Sequence, residues 1–566
     1  DYLKEKKFFG RSIPKEYGGL GFSAYGHSCV IEKLVTNSQV LAITVMVPNS
    51  LGPAELLLRY GEQKQKDYYL PRLADARDIP CFALTEPEVG SDAASLRSYG
   101  EIFKDTDGSF KIKLQFEKRY ITLASIATVI GLAFELKDPE NLLNMGTDLG
   151  ITCALVDANK SGIDQSKRHD PLNVPFVNSP LIGKDVVIEI DDIIGGKNGI
   201  GQGWMMLMES LAIGRGISLP STSTGGSKLV TFVASTYSNI RYQFGLSIGK
   251  FEGISEVIGR MVADTYLLDA AKTFTLGAID SGAKPAVANA IMKYQSTEKF
   301  RKNLLDAMDI QGGAAIIRGP KNLLAHAYYG APIAITVEGA NIMTRSLIQF
   351  GQGMIRCHPY AYSEIEALEN GDVDTFDKLL FSHIKHVTRN YFRSTFLFLS
   401  RGYFHRSSSN DATARYEQKL AWSSAKFAFL SDAALGLMGA SLKRRESVSG
   451  RFGDILSHMY MITCTLKRFK EEGCKEEDEI LLRVAVESGF EKIDTAFLGI
   501  YANLASGPLA YIFKICAFFS KLNSLSSPVK DNDLHTITQT MNTDKDFFSR
   551  VCSNIFYSQR IKELAQ

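Results

Sequence analysis

Apolar residues recur at helical spacing through most of the chain, and a middle segment departs from this pattern. Residues 29–47 and 54–69 carry apolar side chains at near-helical spacing, with Pro48-Asn49-Ser50 as a break between them. Within residues 81–194 the pattern changes, and residues 110–116 alternate apolar with polar side chains as a half-buried strand does. The pattern therefore predicts an N-terminal helical region followed by a small all-β region.

Runs of β-branched and aromatic residues between turn signals support further strands at 120–136, 151–157 and 186–190. A glycine-rich loop at 195–203 follows them and has some likeness to a dinucleotide-binding fingerprint. That fingerprint requires a βαβ unit, whereas the sequence after Trp204 has a long helical pattern. We therefore favour an interdomain loop here, and no phosphate-binding GxxxxGK[ST] motif occurs anywhere in the sequence.

The remaining sequence predicts helices throughout. The patterns at 205–213, 226–244, 254–280 and 285–308, with another after Asn341, have lengths that suit a helical bundle. A second helical region follows, including a charged helix at 467–485 and an apolar segment at 508–522. From its residues alone, the apolar segment suits a core helix better than a membrane-seating one.

The predicted fold class is α+β and mainly α, with four domains. They are an N-terminal helical domain (1–80), a middle β domain of barrel or sandwich type (81–202), a four-helix-bundle domain (203–357) and an extra C-terminal helical domain (358–566). A chain of 566 residues is long enough for this number of domains.

Composition narrows the class of protein. Hydrophobic residues make up 45% and charged residues 22% of the chain, which is typical of a globular protein. The net charge of +2 gives no electrostatic case for binding nucleic acid. The eight Cys include no CxxC pair, which disfavours a zinc site and suggests free thiols in a reducing compartment.

The ends and the hydropathy of the chain support two further expectations. No run of 18 uninterrupted apolar residues occurs, so we predict no transmembrane helix in this sequence. The chain begins at Asp1 without a Met, and its Lys-rich start does not resemble a signal peptide. We therefore expect the native protein to extend further at its N-terminus.

One acidic residue, Glu338, stands in an otherwise apolar stretch at 331–343. Burial disfavours the charged form of a carboxylate and raises its pKa toward the range that suits a general base. Gly339 allows a sharp turn or the close approach of a ligand. From this stretch alone, a helix N-cap or a surface acid beside a buried turn is the favoured interpretation.

The segment 82–92, Phe-Ala-Leu-Thr-Glu-Pro-Glu-Val-Gly-Ser-Asp, changes that interpretation. It resembles the TEPxxGSD signature loop of the acyl-CoA dehydrogenase family. Within that family, the whole chain resembles the long bacterial acyl-CoA dehydrogenases of fatty-acid β-oxidation. Further runs that carry the resemblance lie at 118–122, 335–341 and 350–359. The resemblance covers essentially the whole chain, with the family core at about 1–355 and the front of its first helical domain missing.

The resemblance implies FAD as cofactor. Taken alone, Thr85 and Ser91 suit turn capping, Tyr120 suits a core position and Arg241 suits a helix C-terminus. In the family, the Arg of the RxxFG motif, here Arg241 to Gly245, reaches the pyrophosphate of a flavin in the neighbouring subunit, which implies at least a homodimer. The implied FAD-binding residues are Phe82, Leu84, Thr85, Gly90, Ser91, Tyr120, Thr122, Arg241, Phe244, Gly312 and Gly313.

The chain also departs from the family pattern at several of these places. Tyr120 stands where the family usually has Trp, and Asp309 stands three residues before Gly312 where Gln is common. Glu252 stands where Gln is usual, Ala340 where Thr is common, and Ile342 where the family has a polar side chain. Side-chain contacts to the adenosine part of FAD are therefore not expected at these positions, whereas main-chain contacts at the two glycines are.

Glu338 aligns with the usual catalytic base of the family. A minority of members place the base just before an Arg, and here that position is Gly214, which has no side chain to serve. The resemblance implies that Glu338 takes the α-proton while the β-hydrogen leaves as hydride to flavin N5. It also implies that the Glu338 main-chain N–H and a flavin ribityl hydroxyl polarise the thioester oxygen. Ser91, Arg215, Glu338 and Gly339 are the implied acyl-CoA-binding residues.

The leading hypothesis is FAD-dependent α,β-dehydrogenation of medium- or long-chain fatty acyl-CoA to trans-2-enoyl-CoA, the first step of β-oxidation. The resemblance implies an electron-transferring flavoprotein as acceptor and a place in the bacterial cytoplasm. It also implies a peripheral contact of the C-terminal domain with the inner membrane. The alternatives are an acyl-CoA oxidase that passes electrons to oxygen and a non-catalytic membrane-associated scaffold. No metal is predicted, because His383 and His386 lack an HExxH context and suit a solvated helix face.

Overall fold

The computed structural model describes residues 1–50, 52–353 and 358–556. Its N-terminal part is helical as predicted, but the helices at 29–47 and 54–69 are each divided or shifted. Ser38 begins a new helix by accepting a hydrogen bond from the Leu41 main-chain N–H at 3.2 Å. The helices are α1 (Tyr2–Glu5), α2 (Ala24–Val35), α3 (Gln39–Met46), α4 (Pro53–Tyr60) and α5 (Gln63–Ala74).

The middle domain is one seven-stranded mixed sheet, which confirms the predicted β region. The predicted strand at 120–136 is two elements, because the chain leaves the sheet after Thr122 and returns at Val129. The strands are β1 (Pro80–Ala83), β2 (Tyr99–Lys104), β3 (Phe110–Thr122), β4 (Val129–Lys137), β5 (Asp148–Asp157), β6 (Ile163–Asp164) and β7 (Asn178–Glu189).

The sheet order is β1-β4-β2-β3-β7-β6, with β5 paired to β4. β1 runs parallel to β4, and β3 pairs antiparallel with β7 over most of its length. The register between β3 and β7 shifts between Lys118 and Ile121, so one extra residue is accommodated there. Tyr120 lies in this irregularity with φ of 62° and its side chain exposed, so its ring faces away from the core.

The third region is a bundle of long helices. The glycine-rich loop is a short 3-10 turn, Gly196–Gly199, that leads into a helix, as the interdomain-loop interpretation expected. The predicted helix at 226–244 instead starts at Ser218 and ends at Ile240, where a small hairpin begins. The helices are α6 (Gly203–Gly216), α7 (Ser218–Ile240), α8 (Glu252–Asp280), α9 (Ala286–Gln311), α10 (Gly313–Ile316), α11 (Ala325–Thr336) and α12 (Asn341–Met343), then the π-helix Thr344–Gln352. The hairpin strands are β8 (Tyr242–Gln243) and β9 (Leu246–Ser247).

The C-terminal region is also helical, with two corrections to the predictions. The prediction of one helix at 467–485 is wrong, because one helix ends at Glu471 and the next begins at Glu479. Residue 357, at the predicted domain boundary, lies outside the described residues. The helices are α13 (Ala361–Glu369), α14 (Val373–Leu399), α15 (Ala414–Met438), α16 (Glu446–Glu471), α17 (Glu479–Tyr501), α18 (Pro508–Leu522), α19 (Asp531–Thr543) and α20 (Lys545–Val551).

The interpretation of 508–522 as a core helix is wrong as well. The helix forms with the predicted bounds, but its apolar side chains are largely exposed, including Tyr511 at 68% and Leu522 at 68%. No helix in the described part of the chain combines the length and the apolar character needed to cross a membrane.

The C-terminal region is packed onto the bundle. Buried residues of α16, α17, α19 and α20 share one hydrophobic core with buried residues of α7, α8 and α9. A second core lies within the C-terminal region, and a third lies within the middle β domain. The bundle therefore contacts both the N-terminal part of the chain and the added helices.

Candidate active site

Glu338 lies in the turn between α11 and α12. Val337 adopts an extended conformation that ends α11, and the N-cap of α12 is Ala340. Glu338 has φ of 56° and Gly339 has φ of 98°, so two consecutive residues lie in the left-handed region. A non-glycine residue held in this conformation is often part of a functional site. The interpretation of Glu338 as a helix N-cap is therefore wrong.

The carboxylate of Glu338 is directed into the protein. Its Oε2 is buried and has no hydrogen-bond partner in the described part of the chain. It packs against Gly214 of α6, where an added Cβ would lie 2.7 Å from the Glu338 carboxyl carbon. Burial raises the pKa of Glu338 to about 7, against the opposing charges of Arg215 and Lys293. A carboxyl group with this pKa can accept a proton near neutral pH.

Two cations lie beside Glu338, yet both bind the main chain of the turn. Arg215 Nε donates a hydrogen bond to the Glu338 main-chain oxygen at 2.6 Å. Lys293 Nζ donates to the Gly339 main-chain oxygen at 2.7 Å. The structure thus places Arg215, which the resemblance implies as an acyl-CoA-binding residue, in contact with the backbone of the base. Both cations shape the turn and leave Oε2 without a partner.

Sequence reasoning missed Lys293. It is fully buried in α9, on the same helix face as Ser296, Thr297 and Phe300. A lysine on the buried face of a helix is uncommon unless its ammonium group has partners. A lysine among the buried positions of a predicted helix is therefore the signal in the sequence that could have identified Lys293.

The loop at 82–91 presents some of its predicted residues to solvent and buries others. The Phe82 ring lies in the core against Gly131, where an added Cβ would be 2.6 Å from the ring. Leu84 and Thr85 are half-buried, and the Thr85 main-chain oxygen accepts a hydrogen bond from Arg119 N at 2.9 Å. Gly90 and Ser91 are exposed. Phe82 can therefore contribute only through its backbone, whereas Gly90 and Ser91 are available to a ligand.

Tyr120 and Thr122 lie next to this loop at the end of β3. Asn178 Nδ2 donates to the Tyr120 main-chain oxygen at 2.9 Å and to Thr122 Oγ1 at 3.4 Å. The Tyr120 ring is 55% exposed, which differs from the core position that local sequence favours. The amide of Asn178 thus fixes the backbone that carries both residues.

A buried ion pair holds the loop in place and was also missed. Lys118 Nζ lies 2.7 Å from Glu86 Oε1, and both side chains are almost fully buried. Glu86 also accepts hydrogen bonds from the main-chain N–H groups of Arg97 and Ser98. Lys118 continues the inward-facing series Ile112, Leu114 and Phe116 of β3. A lysine in that register required a buried partner, which the loop supplies.

Arg241, Phe244, Gly312 and Gly313 come together around one cavity of about 700 Å³. Phe244 is 93% exposed at the tip of the β8–β9 hairpin, and Arg241 is exposed too. Gly312 has φ of 58°, a conformation that glycine adopts readily. An open cavity with an arginine and two glycines suits a phosphate-containing ligand that approaches the backbone closely.

A separate cluster of His358, His383 and Asp432 places potential metal-ligand atoms within 4.8 Å of one another. His358 Nδ1 accepts hydrogen bonds from the main-chain N–H groups of Tyr360 and Ala361, at 3.2 and 3.0 Å. The His358 proton is therefore on Nε2, where it is donated to Asp432 at 2.9 Å. His383 is half-buried between Asp432 and Glu364, so the solvated-face interpretation is wrong for His383. The cluster is a hydrogen-bond network.

Four family models match the chain in succession. They are the N-terminal domain (1–77), the middle domain (81–186) and the C-terminal domain (201–351) of acyl-CoA dehydrogenase, and the bacterial-type acyl-CoA dehydrogenase C-terminal model (355–566). This chain belongs to the acyl-CoA dehydrogenase family. It is an oxidoreductase of a family whose activity is FAD-dependent acyl-CoA dehydrogenation. The order helical, β, helical bundle and added helical domain is the architecture of these models.

Individual relatives agree with this assignment. The chain is 29% identical over 350 residues to a 3-(aryl)acrylate reductase of Clostridium sporogenes, covering 61% of this chain and 87% of the reductase. It is 27% identical over 320 residues to the mitochondrial very long-chain specific acyl-CoA dehydrogenase of Rattus norvegicus, covering 56% of this chain but only 48% of the rat enzyme.

A solved structure extends the likeness over the added C-terminal helices. The crystal structure of an acyl-CoA dehydrogenase complexed with FAD from Bacillus anthracis superposes with a TM-score of 0.80 at 19% identity. The superposition covers 96% of this chain and 89% of that one. The fold therefore includes the C-terminal region as well as the family core.

The residues present fit a flavin nucleotide. Exposed Tyr120, Gly90 and Ser91 offer an aromatic surface and main-chain groups beside the loop at 82–91. The cavity at Arg241 and Gly312 offers a guanidinium group and an accessible backbone for phosphate. FAD supplies hydride acceptance when bound, a chemistry that no protein side chain provides.

Proposed function

We propose that this chain dehydrogenates medium- and long-chain fatty acyl-CoA at the α,β bond to give trans-2-enoyl-CoA, as the first step of fatty-acid β-oxidation. The observation that carries the proposal is the Glu338 carboxyl group. It is directed inward, its Oε2 has no hydrogen-bond partner among the residues that the structure describes, and burial raises its pKa to about 7. The rat relative, which is named as specific for very long chains, favours a long acyl chain over a short one in this proposal.

Glu338 acts as the general base that takes the α-proton of the acyl thioester. The turn at positive φ directs the carboxylate inward, where we place the α-carbon of the substrate, and the burial of Oε2 limits competition from water. The main-chain N–H of Glu338 donates to the thioester oxygen and stabilises the negative charge that develops there. Arg215 keeps this segment of backbone in place through its hydrogen bond to the Glu338 oxygen.

The cofactor is held by two groups of residues. Main-chain groups of Phe82, Leu84, Thr85 and Gly90, with the side chains of Ser91, Tyr120 and Thr122, hold the flavin ring. Ser91 also contacts the acyl-CoA. The cavity of Arg241, Phe244, Gly312 and Gly313 holds phosphate groups, and the exposure of Arg241 and Phe244 favours a flavin shared with a second subunit. The enzyme is therefore at least a homodimer, and its electron acceptor is an electron-transferring flavoprotein.

The test is an anaerobic titration of the FAD-loaded enzyme with butyryl-, octanoyl- and palmitoyl-CoA, following the visible flavin absorbance. We expect octanoyl- and palmitoyl-CoA to bleach the flavin, and Glu338→Gln to retain flavin without bleaching. If no acyl-CoA bleaches the flavin, the dehydrogenase proposal fails. Release of hydrogen peroxide during aerobic turnover would instead identify an acyl-CoA oxidase, and absence of bound flavin would favour the non-catalytic scaffold.

The exposed apolar face of α14 and α18 supports a peripheral contact with the inner membrane of a bacterium, from the cytoplasmic side. The two helices expose large apolar residues next to basic ones such as Lys385, Arg389 and Lys514. The apolar residues are Phe381, Ile384, Phe392, Phe396, Leu399, Tyr511, Ile512, Ile515, Phe518, Phe519 and Leu522. Flotation with anionic vesicles tests the contact, and a Phe392→Ser, Phe518→Ser double variant should remain unbound. Equal flotation of that variant would contradict it.

A further inference from the structure

Lys293 is fully buried in α9, and its ammonium group has three hydrogen-bond acceptors. Nζ donates to the main-chain oxygens of Ile335 at 3.2 Å and Gly339 at 2.7 Å, and to Asn341 Oδ1 at 2.6 Å. An ammonium group has three protons, so its hydrogen-bonding capacity is fully used. All three acceptors belong to the segment that carries Glu338.

The acceptors lie on both sides of Glu338 in the sequence. The side chain of one of them, Asn341, is itself held by hydrogen bonds. Asn341 Nδ2 donates to Thr297 Oγ1 at 2.9 Å and to Glu298 Oε1 at 2.7 Å, both on α9. The Gly339 oxygen also accepts a hydrogen bond from Thr344 Oγ1 at 3.3 Å. The turn that holds Glu338 at positive φ is thus tied to one helix through Lys293 and Asn341.

The three acceptors of Lys293 are neutral, although its ammonium group carries a charge. Burying a charge without direct pairing is costly, so the three hydrogen bonds and the nearby charged groups have to offset that cost. The charged groups that face it are Glu338, Arg215 and Glu298. Burial lowers the pKa of Lys293 to about 8, opposed by Glu338, and the Lys293 charge in turn lowers the pKa of Glu338.

We propose that Lys293 is a positioning residue for the dehydrogenation, fixing the turn that presents Glu338 and placing a positive charge beside its carboxylate. This inference rests on the proposed function of Glu338 as base. Hydrogen bonding by Lys293 sets where the carboxylate and the Glu338 N–H lie, and its charge sets the pH range in which the base is ionised. Neither role requires contact between Lys293 and substrate.

The test compares Lys293→Met with Lys302→Met in the FAD-loaded enzyme. Lys302 lies on the same helix but is exposed, so its variant should keep wild-type kinetics. For Lys293→Met we expect bound flavin, a roughly 100-fold loss of kcat with a smaller change in KM, and an acid limb of the kcat–pH profile displaced to higher pH. A merely structural role would lower the melting temperature without displacing that limb.

A readout independent of activity is amide hydrogen exchange of residues 335–343, which should become faster in Lys293→Met than in Lys302→Met. Lys293→Gln retains donors without the charge, so we expect partial recovery of kcat and of exchange protection, with the acid limb still displaced. It also serves as the test variant if Lys293→Met does not fold.

Wild-type kcat and an unmoved acid limb in a folded Lys293 variant would overturn the inference. Failure of the wild-type enzyme to bleach with any acyl-CoA would instead overturn the proposed function. Normal bleaching by wild type together with an unaffected Lys293 variant would overturn the positioning role alone.

Discussion

The carboxylate of Glu338 occupies the space beside Gly214 that a side chain would fill, and a Cβ at position 214 would lie 2.7 Å from its carboxyl carbon. Gly214 is buried in α6, one residue before Arg215, whose side chain binds the Glu338 main-chain oxygen. The same short segment therefore makes room for the base and ties down its backbone. Gly214 is not only incapable of serving as an alternative base, it is required for the base at 338 to occupy its site.

We predict that Gly214→Ala displaces the Glu338 side chain and reduces kcat. A displacement of about 1 Å costs on the order of 100-fold in rate, so we expect a loss of that size with flavin retained. Steady-state kinetics and flavin absorbance measure the two effects. The matched control is Gly277→Ala, since Gly277 also lies within a long helix but has open space around it. Equal kinetics of the two variants would contradict the steric argument.

The pH dependence of the reaction should report the ionisation of Glu338. Burial raises the pKa of Glu338 to about 7, and only the ionised carboxylate accepts a proton. We therefore expect kcat to increase as pH rises through this value and to fall about tenfold per pH unit well below it. A kcat–pH profile measured with saturating acyl-CoA checks this. A profile flat down to roughly pH 5 would show that Glu338 is ionised more easily than its surroundings imply.

The same raised pKa has a consequence for stability. In the unfolded chain the pKa of a glutamate is about 4.3, so the folded protein binds more protons between that pH and 7. The free energy of unfolding contributed by Glu338 therefore decreases as pH rises through this window. Glu338→Gln, which cannot ionise, should gain stability relative to wild type as pH increases. Denaturation midpoints at acid and neutral pH test this, and a difference independent of pH would contradict it.

Hydrophobic periodicity was sufficient to predict the sequence of helical and β regions. Periodicity gave wrong element boundaries where a local turn interrupts an otherwise helical pattern. Residues 467–485 look continuously helical, yet the chain turns after Glu471 and a new helix begins at Glu479. Helix α11 contains Pro332 and was not predicted, because an internal proline usually ends a helix.

The site was predictable to the extent that it follows from short motifs. The family resemblance predicted Glu338 and four residues that line the 700 Å³ cavity, and their role in binding FAD stays a prediction. The four are Arg241, Phe244, Gly312 and Gly313. The buried partners were not predicted, because Lys118 and Lys293 bind oxygens that are distant in sequence. The helix Pro508–Leu522 was predicted with the correct bounds but the wrong environment. An apolar helix has the same sequence pattern whether it is buried or exposed.

The pair of Glu86 and Lys118 should be essential to the loop at 82–91. Glu86→Gln leaves the Lys118 ammonium buried without a counter-charge, and breaking a buried pair in this way costs about 3–5 kcal/mol. We expect a lower denaturation midpoint and weaker retention of flavin, measured by urea unfolding and by flavin release. Glu117→Gln is the control, because Glu117 is exposed on the same strand as Lys118. Equal stability of the two variants would show that the pair is dispensable.

A buried ionic cluster joins the N-terminal helices to the bundle and to the C-terminal region. Glu32 of α2 lies 2.6 Å from both Lys228 of α7 and Lys272 of α8. Asp269 binds the same two lysines, and Arg468 of α16 approaches Asp269 at 3.1 Å. Helices of three regions thus meet at alternating buried charges, and removing one of these charges leaves its partners uncompensated.

Glu32→Gln should therefore destabilise the whole chain, because it leaves the two lysines with one acid to share. We expect a loss of about 3–5 kcal/mol in the free energy of unfolding, since an uncompensated charge remains buried. The exposed pair of Lys467 and Glu471 is the matched comparison, and Glu471→Gln should leave the free energy of unfolding nearly unchanged. Urea unfolding followed by circular dichroism measures both. If Glu32→Gln is no more destabilising than Glu471→Gln, the cluster does not hold the regions together.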